Sequence, residues 1–120
     1  MTSPPIKPQT TFATFEMLDI RAGRVERCEP FPEARKPAIK LWVDFGEPIG
    51  VLRSSAQLTR RYTPDALVGT TVLAVVNFPP RRIAGFESQI LVLGVIDPAD
   101  PGDIVLVRPD ATDTIGWPLG

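Results

Sequence analysis

The sequence predicts an all-β fold, a small barrel of short strands with short helices, on three observations. Fourteen prolines and nine glycines among 120 residues indicate many turns between short elements. Apolar and polar residues alternate through residues 39–45, which is the pattern of a half-buried strand. Two apolar runs rich in β-branched residues, 72–76 and 90–93, are too short to favour helices and are interpreted as further strands.

Length and composition favour one domain. With 43% hydrophobic residues in 120, the chain can build one core but not two. Residues 1–11, rich in proline and threonine, are predicted to form a flexible tail, and residues 12–120 the domain. No apolar run approaches the roughly 20 residues of a membrane-spanning helix, and no signal-peptide core is present. Because Cys28 is the only cysteine, nothing indicates an oxidising compartment, and we expect a cytoplasmic protein without membrane insertion.

Charge is distributed unevenly along the chain. Residues 21–82 hold eleven basic and six acidic side chains, a balance of +5. Residues 83–120 hold one basic and six acidic side chains, a balance of −5. The basic half could form a patch that attracts anionic partners, or the two halves could neutralise each other across the fold.

The first half of the chain is predicted to contribute three strands. A strand from about Asp19 changes its apolar phase at Gly23, which indicates a β-bulge that lets the strand curl around a small barrel. After a proline-rich loop, the second strand, residues 39–45, carries Trp42 on its outward face. A third strand ends near Arg53, and the residues after it are interpreted as a turn or a capped helical turn.

Two short helices are predicted from capping signals. Thr14 is expected to cap one turn over residues 15–18. Thr63, Pro64 and Gly69 stand at the N-cap, at the first helical position and just past the end of a second helix. The remaining elements are two apolar strands, an acidic loop and a last strand, at residues 72–76, 90–93, 97–103 and 104–107.

This order of elements, three strands, a helix and two strands with a bulge in the first, is that of an OB-fold, a five-stranded barrel. Ligands usually meet this fold on the face of its second and third strands and on the loops after its first and fourth strands. In this chain those are the Trp42 face, residues 29–37 and residues 77–85.

Several motifs resemble those of one known family. They are Asp19-Ile-Arg-Ala-Gly23, Phe31-Pro-Glu-Ala-Arg35, Pro37-Ala-Ile-Lys-Leu41, Asp44-Phe-Gly46, Ser54-Ser-Ala-Gln57 and the string from Asn77 to Phe86. From about Phe15 to its C-terminus the chain is similar to CsaA, a family of bacterial secretion-associated chaperones. That family lies in the tRNA-binding-domain superfamily, which also includes domains appended to some methionyl- and phenylalanyl-tRNA synthetases.

The resemblance implies a cytosolic homodimer of OB-folds, without catalysis, that binds unfolded or precursor polypeptides in protein export. It makes tRNA and the export motor ATPase further candidate partners. tRNA-binding members usually carry Ser-x-Gly-Met after the loop between the fourth and fifth strands, whereas this chain has Ser88-Gln-Ile-Leu. Only Ser88 carries over, and this departure favours polypeptide over tRNA.

Candidate binding residues follow from the barrel geometry. Arg81 and Arg82 come after two prolines in a stiff turn and could grip phosphates or carboxylates, or could be solvated with one of them paired to Glu87. Trp42 could stack on a base or an apolar side chain, or lie buried under the short helix or in an interface. Asn77 must find partners for its amide in its own loop or in a bound peptide. The full set predicted to contact a peptide or RNA is Lys40, Trp42, Arg53, Ser54, Ser55, Gln57, Arg60, Arg61, Asn77, Phe78, Arg81, Arg82 and Ser88.

The sequence offers little for catalysis. There is no histidine, no pair of carboxylates at a motif spacing and no phosphate-binding glycine loop. A lone Cys28 in a strand favours packing over nucleophilic chemistry. We therefore predict no enzyme, no metal and no cofactor.

The apolar strands predict the assembly. A small barrel's core takes only one face of each of the strands 72–76 and 90–93, so the other face is expected to meet a second copy across a two-fold axis. The function predicted is a homodimeric chaperone-like protein that binds unfolded or precursor polypeptides. The alternatives are a tRNA-binding module that reads phosphate and shape, and a structural domain whose main role is dimerisation.

Overall fold

The computed structural model describes residues 3–120, so Met1 and Thr2 of the predicted tail lie outside the described residues. The elements in chain order are α1 (Phe12–Glu16), β1 (Ile20–Pro30), β2 (Ile39–Asp44), β3 (Val51–Ala56), α2 (Pro64–Leu67), β4 (Thr71–Val75), β5 (Arg81–Ile83), β6 (Phe86–Ser88), β7 (Leu91–Val92), β8 (Gly94–Asp97) and β9 (Asp100–Leu106).

Five antiparallel strands form a nearly closed barrel, in the order β3-β2-β1-β4-β7. The inward residues of β2, Ile39, Leu41 and Val43, are buried as their alternation predicts, and Phe45 after the strand is buried with them. Helix α2 lies between β3 and β4 in the chain, and the Thr63 hydroxyl accepts a hydrogen bond from the Ala66 amide at its N-cap. The predicted OB-fold is confirmed.

Strand β1 curls because it pairs with two neighbours in succession. Its first half pairs with β4 and its second half with β2. The register shift falls between Val25 and Arg27, so the bulge predicted at Gly23 lies slightly later in the strand. Gly23 serves a different purpose, because a Cβ there would lie 2.6 Å from Val43 Cγ1 and 2.7 Å from Phe45 Cε1. Only glycine lets β1 approach the core this closely.

The third strand is longer than predicted. Residues interpreted as a turn, Ser54, Ser55 and Ala56, continue β3 in register with β2. Serine has a weak intrinsic preference for strands, and this segment is strand because of the partners on its two edges. The turn prediction for these residues is wrong for that reason.

The N-terminal helix begins earlier than predicted. Thr11 is its N-cap, without a side-chain capping bond, and Thr14 lies inside α1, where its hydroxyl is 2.8 Å from that of Thr10. Thr11 has the extended backbone of an N-cap, whereas Thr14 lies within the helix. Residues 3–11 of the predicted tail are exposed and precede the first helix, and their flexibility stays a prediction.

Two hairpins replace predicted loops. β5 and β6 are joined by Ala84 and Gly85, both with positive φ, as in a type I′ turn. The two arginines of the predicted stiff turn therefore stand on a strand. Part of the predicted acidic loop likewise belongs to the hairpin of β8 and β9, which forms a separate two-stranded sheet.

The second face of β4 is covered within the single chain. Thr71, Val72, Ala74 and Val75 are all buried, so the expectation that this strand needs a partner for its outer face is wrong. Leu91 of β7, by contrast, is 50% exposed, and a partner for that strand stays a prediction.

The C-terminal segment pairs with the free edge at the start of β1. Gly116 N donates to Ala22 O, Ala22 N to Trp117 O, and Leu119 N to Ile20 O. Trp117 itself remains exposed. Among residues 3–120, no helix is long and apolar enough to cross a membrane.

Candidate ligand-binding surfaces

Three aromatic rings meet on the outer face of the barrel. Trp42 comes from β2, Phe86 from β6 and Phe31 from the loop after β1. The Phe86 ring centroid lies 5.5 Å from that of Phe31 and 5.9 Å from that of Trp42, both edge to face. This is a favourable arrangement for aromatic pairs, and it anchors the β5–β6 hairpin on the second strand.

Cations of the same chain lie over these rings. The distances from cation to ring centroid run from 4.4 Å, for Arg27 over Trp42, to 5.3 Å, for Arg53 over Phe86. Lys40 Nζ lies between two rings. We call this surface the aromatic–cation face, and its members are Arg27, Phe31, Lys40, Trp42, Arg53 and Phe86.

Trp42 is half-buried in this face. One side of its ring carries the Arg27 guanidinium, which also pairs with the Glu29 carboxylate, and the edge of Phe86 lies against it. A base that stacked on Trp42 would first have to displace the Arg27 guanidinium.

Several predicted polar site residues make contacts that close the barrel. Ser54 is 1% exposed, and its hydroxyl donates to Ile90 O at 3.1 Å. The Ser88 hydroxyl accepts a hydrogen bond from Ser55 N at 3.0 Å. These groups join the outer edge of β3 to the end of β6 and to the residues just after it.

Arg53 contributes both backbone and side chain to the same closure. Its amide donates to Gln89 Oε1, and its carbonyl accepts from Gln89 N. Its Nε donates to Glu87 O at 3.0 Å. The guanidinium is therefore held between a carbonyl and an aromatic ring.

Asn77 joins the N-terminal helix to the end of β4. Its Oδ1 accepts from Asp19 N at 2.9 Å, and its Nδ2 donates to Met17 O at 2.9 Å. Both the oxygen and the nitrogen of the side-chain amide are thus hydrogen-bonded within the chain, although neither partner lies in the loop that contains Asn77.

Arg60 and Arg61 face the acidic half of the chain. Arg60 pairs with Asp100, and Arg61 makes a two-bonded pair with Asp103, with N–O distances of 2.5 and 2.9 Å. The hydrogen bond from Arg61 holds the pKa of Asp103 below its usual range, and the same bond raises the pKa of Arg61. Here the basic and acidic halves neutralise each other.

Arg81 lies between two neighbouring cavities, of about 180 and 340 Å³, that share Ser55, Ile83 and Leu91 with it. We call these cavities together the Arg81 groove. The remaining lining residues are mostly apolar, and they are Ala56, Gln57, Leu58, Phe78, Pro79, Ser88, Gln89, Ile90, Val92, Leu93, Gly94, Ile96 and Ile104. Gln57 and Phe78, both in the predicted set, are exposed and lie here.

The two hairpin arginines differ in direction. Arg81 is paired in register with Ser88, which faces the barrel, whereas Arg82 is paired in register with Glu87. Arg82 lines neither cavity. Within residues 3–120 neither guanidinium has an ion-pair partner, so the alternative pairing of one of them with Glu87 is absent there.

No catalytic arrangement stands out in the described part of the chain. Burial raises the pKa of the Cys28 thiol to about 11, so the thiol is neutral at neutral pH. No group of His, Cys, Asp and Glu side chains that could hold a metal occurs among residues 3–120.

Sequence reasoning missed three members of the aromatic–cation face as site residues, namely Arg27, Phe31 and Phe86. Phe31 and Phe86 stand in the motifs that carry the family resemblance, which was the available signal. Arg27 follows the bulge, where alternation no longer says which way a side chain points.

The geometry defines a class: a small OB-fold barrel with a cationic, aromatic outer face and an apolar groove. Residues 20–118 match the family model described as a putative tRNA-binding domain. The chain belongs to this tRNA-binding domain family.

Two solved structures specify the resemblance further. The chaperone CsaA from Bacillus anthracis is 48% identical, with a TM-score of 0.87, and the match covers 94% of this chain and 100% of that one. The CsaA chaperone from Picrophilus torridus is 40% identical, with a TM-score of 0.84, over 93% of this chain and 100% of that one. The predicted resemblance to CsaA is confirmed.

The chain is also similar to part of a larger enzyme. Methionine–tRNA ligase of Chloroherpeton thalassium is 40% identical over 116 residues, which are 96% of this chain. The chain spans only 16% of that ligase's length.

Proposed function

We propose that this protein is a non-catalytic, cytoplasmic, chaperone-like binding protein that holds unfolded or precursor polypeptides in an extended form during protein export. The observation that carries the proposal is the Arg81 groove. It is apolar along most of its length, it is lined by exposed Leu91 and Ile96, and polar side chains such as Gln57 stand at its rim. Such a groove suits the mixture of apolar side chains and backbone amides that an extended polypeptide presents.

The edge of the hairpin supports the same function. β5 pairs only with β6 among the described strands, so its other edge offers backbone groups to a further strand. An extended peptide that adds to such an edge gains main-chain hydrogen bonds whatever its sequence. This is what a protein with many clients needs.

We infer that the working unit is a homodimer. Exposed apolar residues gather where α1 meets the C-terminus: Phe12, Met17, Leu18 and Leu119. A two-fold contact lets one such patch cover both copies. Light scattering at micromolar concentration is expected to give a mass near twice 13.1 kDa, and a monomer would contradict this part of the proposal.

A second function, tRNA binding, is favoured by a different observation. Arg27, Lys40 and Arg53 lie together on the face where OB-folds meet nucleic acid. Because their guanidinium and ammonium groups already lie over the rings, this face would bind phosphates rather than stack bases. The family match supports this second function, and the two surfaces could serve two ligands.

Competition separates the two functions. A labelled unfolded precursor polypeptide is titrated with the protein at about 50 and 200 mM salt, with tRNA as the competitor. We expect polypeptide binding that changes little between these salt concentrations, since its gain is largely apolar burial. Tight tRNA binding that weakens steeply with salt, with no affinity for the polypeptide, would instead support the second function.

A further inference from the structure

We propose that the Arg81 groove recognises one kind of polypeptide segment, an acidic side chain with apolar residues on both sides, and that Arg81 selects it. The inference rests on the proposed function, because it names the segments that a polypeptide-binding groove would prefer. It assigns unlike roles to two neighbouring arginines.

The first step is the position of the charge. Arg81 lines both cavities, so it stands between two apolar compartments. One compartment is lined by Phe78, Pro79 and Ile90, and the other by Leu93, Ile96 and Ile104, among others. Apolar side chains of a ligand can therefore be buried on either side of one cation.

The second step is the absence of a competing charge. Among the described residues, no Asp or Glu lines either cavity, and Arg81 is the only charged side chain that does. Arg60 and Arg61, by contrast, are paired with carboxylates of the chain. A ligand carboxylate would meet Arg81 without having to displace an internal partner.

The third step is the chemistry of the contact. A guanidinium binds a carboxylate with two parallel hydrogen bonds, and such a pair gains strength where apolar walls exclude water. The complementary ligand is thus apolar, then acidic, then apolar. A strand added beside β5 would place that acidic residue and its apolar neighbours at fixed spacing.

The test uses two labelled peptides of about nine residues, long enough to span the groove when extended. Both have leucine and valine around the centre and polar ends, and they differ only in a central Glu or Gln. Fluorescence anisotropy measures their affinity for the full chain and for two matched variants, Arg81→Gln and Arg82→Gln. Both variants remove one exposed arginine from the same short strand.

The full chain is expected to bind the Glu peptide roughly tenfold more tightly than the Gln peptide, as one charge-assisted contact allows. Arg81→Gln is expected to abolish that difference, whereas Arg82→Gln keeps it. Arg81→Glu is expected to reverse the preference, towards a peptide with a central Lys. Thermal melting within a few degrees of the unmodified chain shows that each variant is folded.

Other outcomes overturn the inference in distinguishable ways. Equal affinity for the two peptides, or equal loss in both variants, refutes selection by Arg81 but leaves polypeptide binding intact. No binding of either peptide removes the proposed function as well. If Arg81→Gln alone loses tRNA binding, and the full chain binds the Glu and Gln peptides equally, the groove binds phosphate groups rather than acidic peptides. If Arg81→Gln changes the molecular mass of the protein in solution, the groove is instead a contact between copies of the chain.

Discussion

The aromatic–cation face and the Arg81 groove both combine arginine with apolar surface, but they use the charge differently. On the face, Arg27 lies over a ring and pairs with Glu29, and Arg53 lies over a ring and donates to a backbone carbonyl. In the groove, Arg81 has no such partner among the described residues. A charge with an internal partner contributes to a ligand only the difference between the two interactions, whereas an unpartnered charge can offer its full hydrogen-bonding capacity.

The comparison also separates stability from binding. The Phe86 ring attaches the hairpin to the barrel, so its removal should affect folding first. Arg81, Gln57 and Phe78 are exposed, so changes at these groove positions should affect ligands first. Four predictions test this division, in decreasing order of expected size.

Phe86→Ala is expected to lower the free energy of unfolding by about 2–4 kcal/mol, because the ring touches two other rings and lies beneath two cations. Since Phe86 anchors the hairpin, peptide binding in the groove should weaken too. Urea denaturation measures the first effect. Phe78→Ala is the control, since that ring is exposed and should cost less than about 1 kcal/mol. Equal costs would show that the aromatic cluster does not anchor the hairpin.

Ser54→Ala is expected to lower the free energy of unfolding by about 1–3 kcal/mol, because it leaves the buried Ile90 carbonyl without the hydroxyl that donates to it. Its matched control is Ser55→Ala, which keeps the backbone bond from Ser55 N to Ser88. Chemical denaturation should show a clear loss only for the first. If Ser54→Ala is stable but no longer binds peptide, the residue belongs to a binding site instead.

Lys40→Gln is expected to change stability by less than about 0.5 kcal/mol and to leave peptide affinity unchanged. If the face binds tRNA phosphates, the slope of log affinity against log salt should fall by about one. Filter binding over a salt series measures the slope. If Lys40→Gln instead lowers peptide affinity and leaves the salt slope of tRNA binding unchanged, the aromatic–cation face binds peptide rather than tRNA.

The smallest effect is expected from the ion pair of Arg61 and Asp103. Because the folded-state pKa of Asp103 lies below its unfolded value, the pair stabilises the fold above the unfolded pKa. That contribution is lost as the pH falls through the folded pKa. Thermal melts between about pH 6 and 2 should show this loss, and Asp103→Asn should lack it. An identical pH dependence in the variant would show that the pair adds nothing to stability.

The elements that depend on local pattern could be predicted from the sequence alone. The alternation of β2 follows from the two-residue period of a strand, and α2 follows from a threonine cap, a proline and a glycine. Their order was enough to predict the OB-fold, and the motif around Asn77–Phe86 was enough to indicate the family.

The roles of the polar residues depend on tertiary contacts that no local pattern reveals. The sequence is compatible with two roles for Ser54, Ser88 and Asn77, which are contacts to a ligand and hydrogen bonds within the chain. Local sequence does not show which distant backbone group will lie about 3 Å away in the folded chain. The same holds for the two hairpin arginines, whose neighbours in sequence are alike. Arg81 faces the groove and Arg82 does not, because the type I′ turn fixes the register of β5 on β6, and adjacent residues of a strand point to opposite faces.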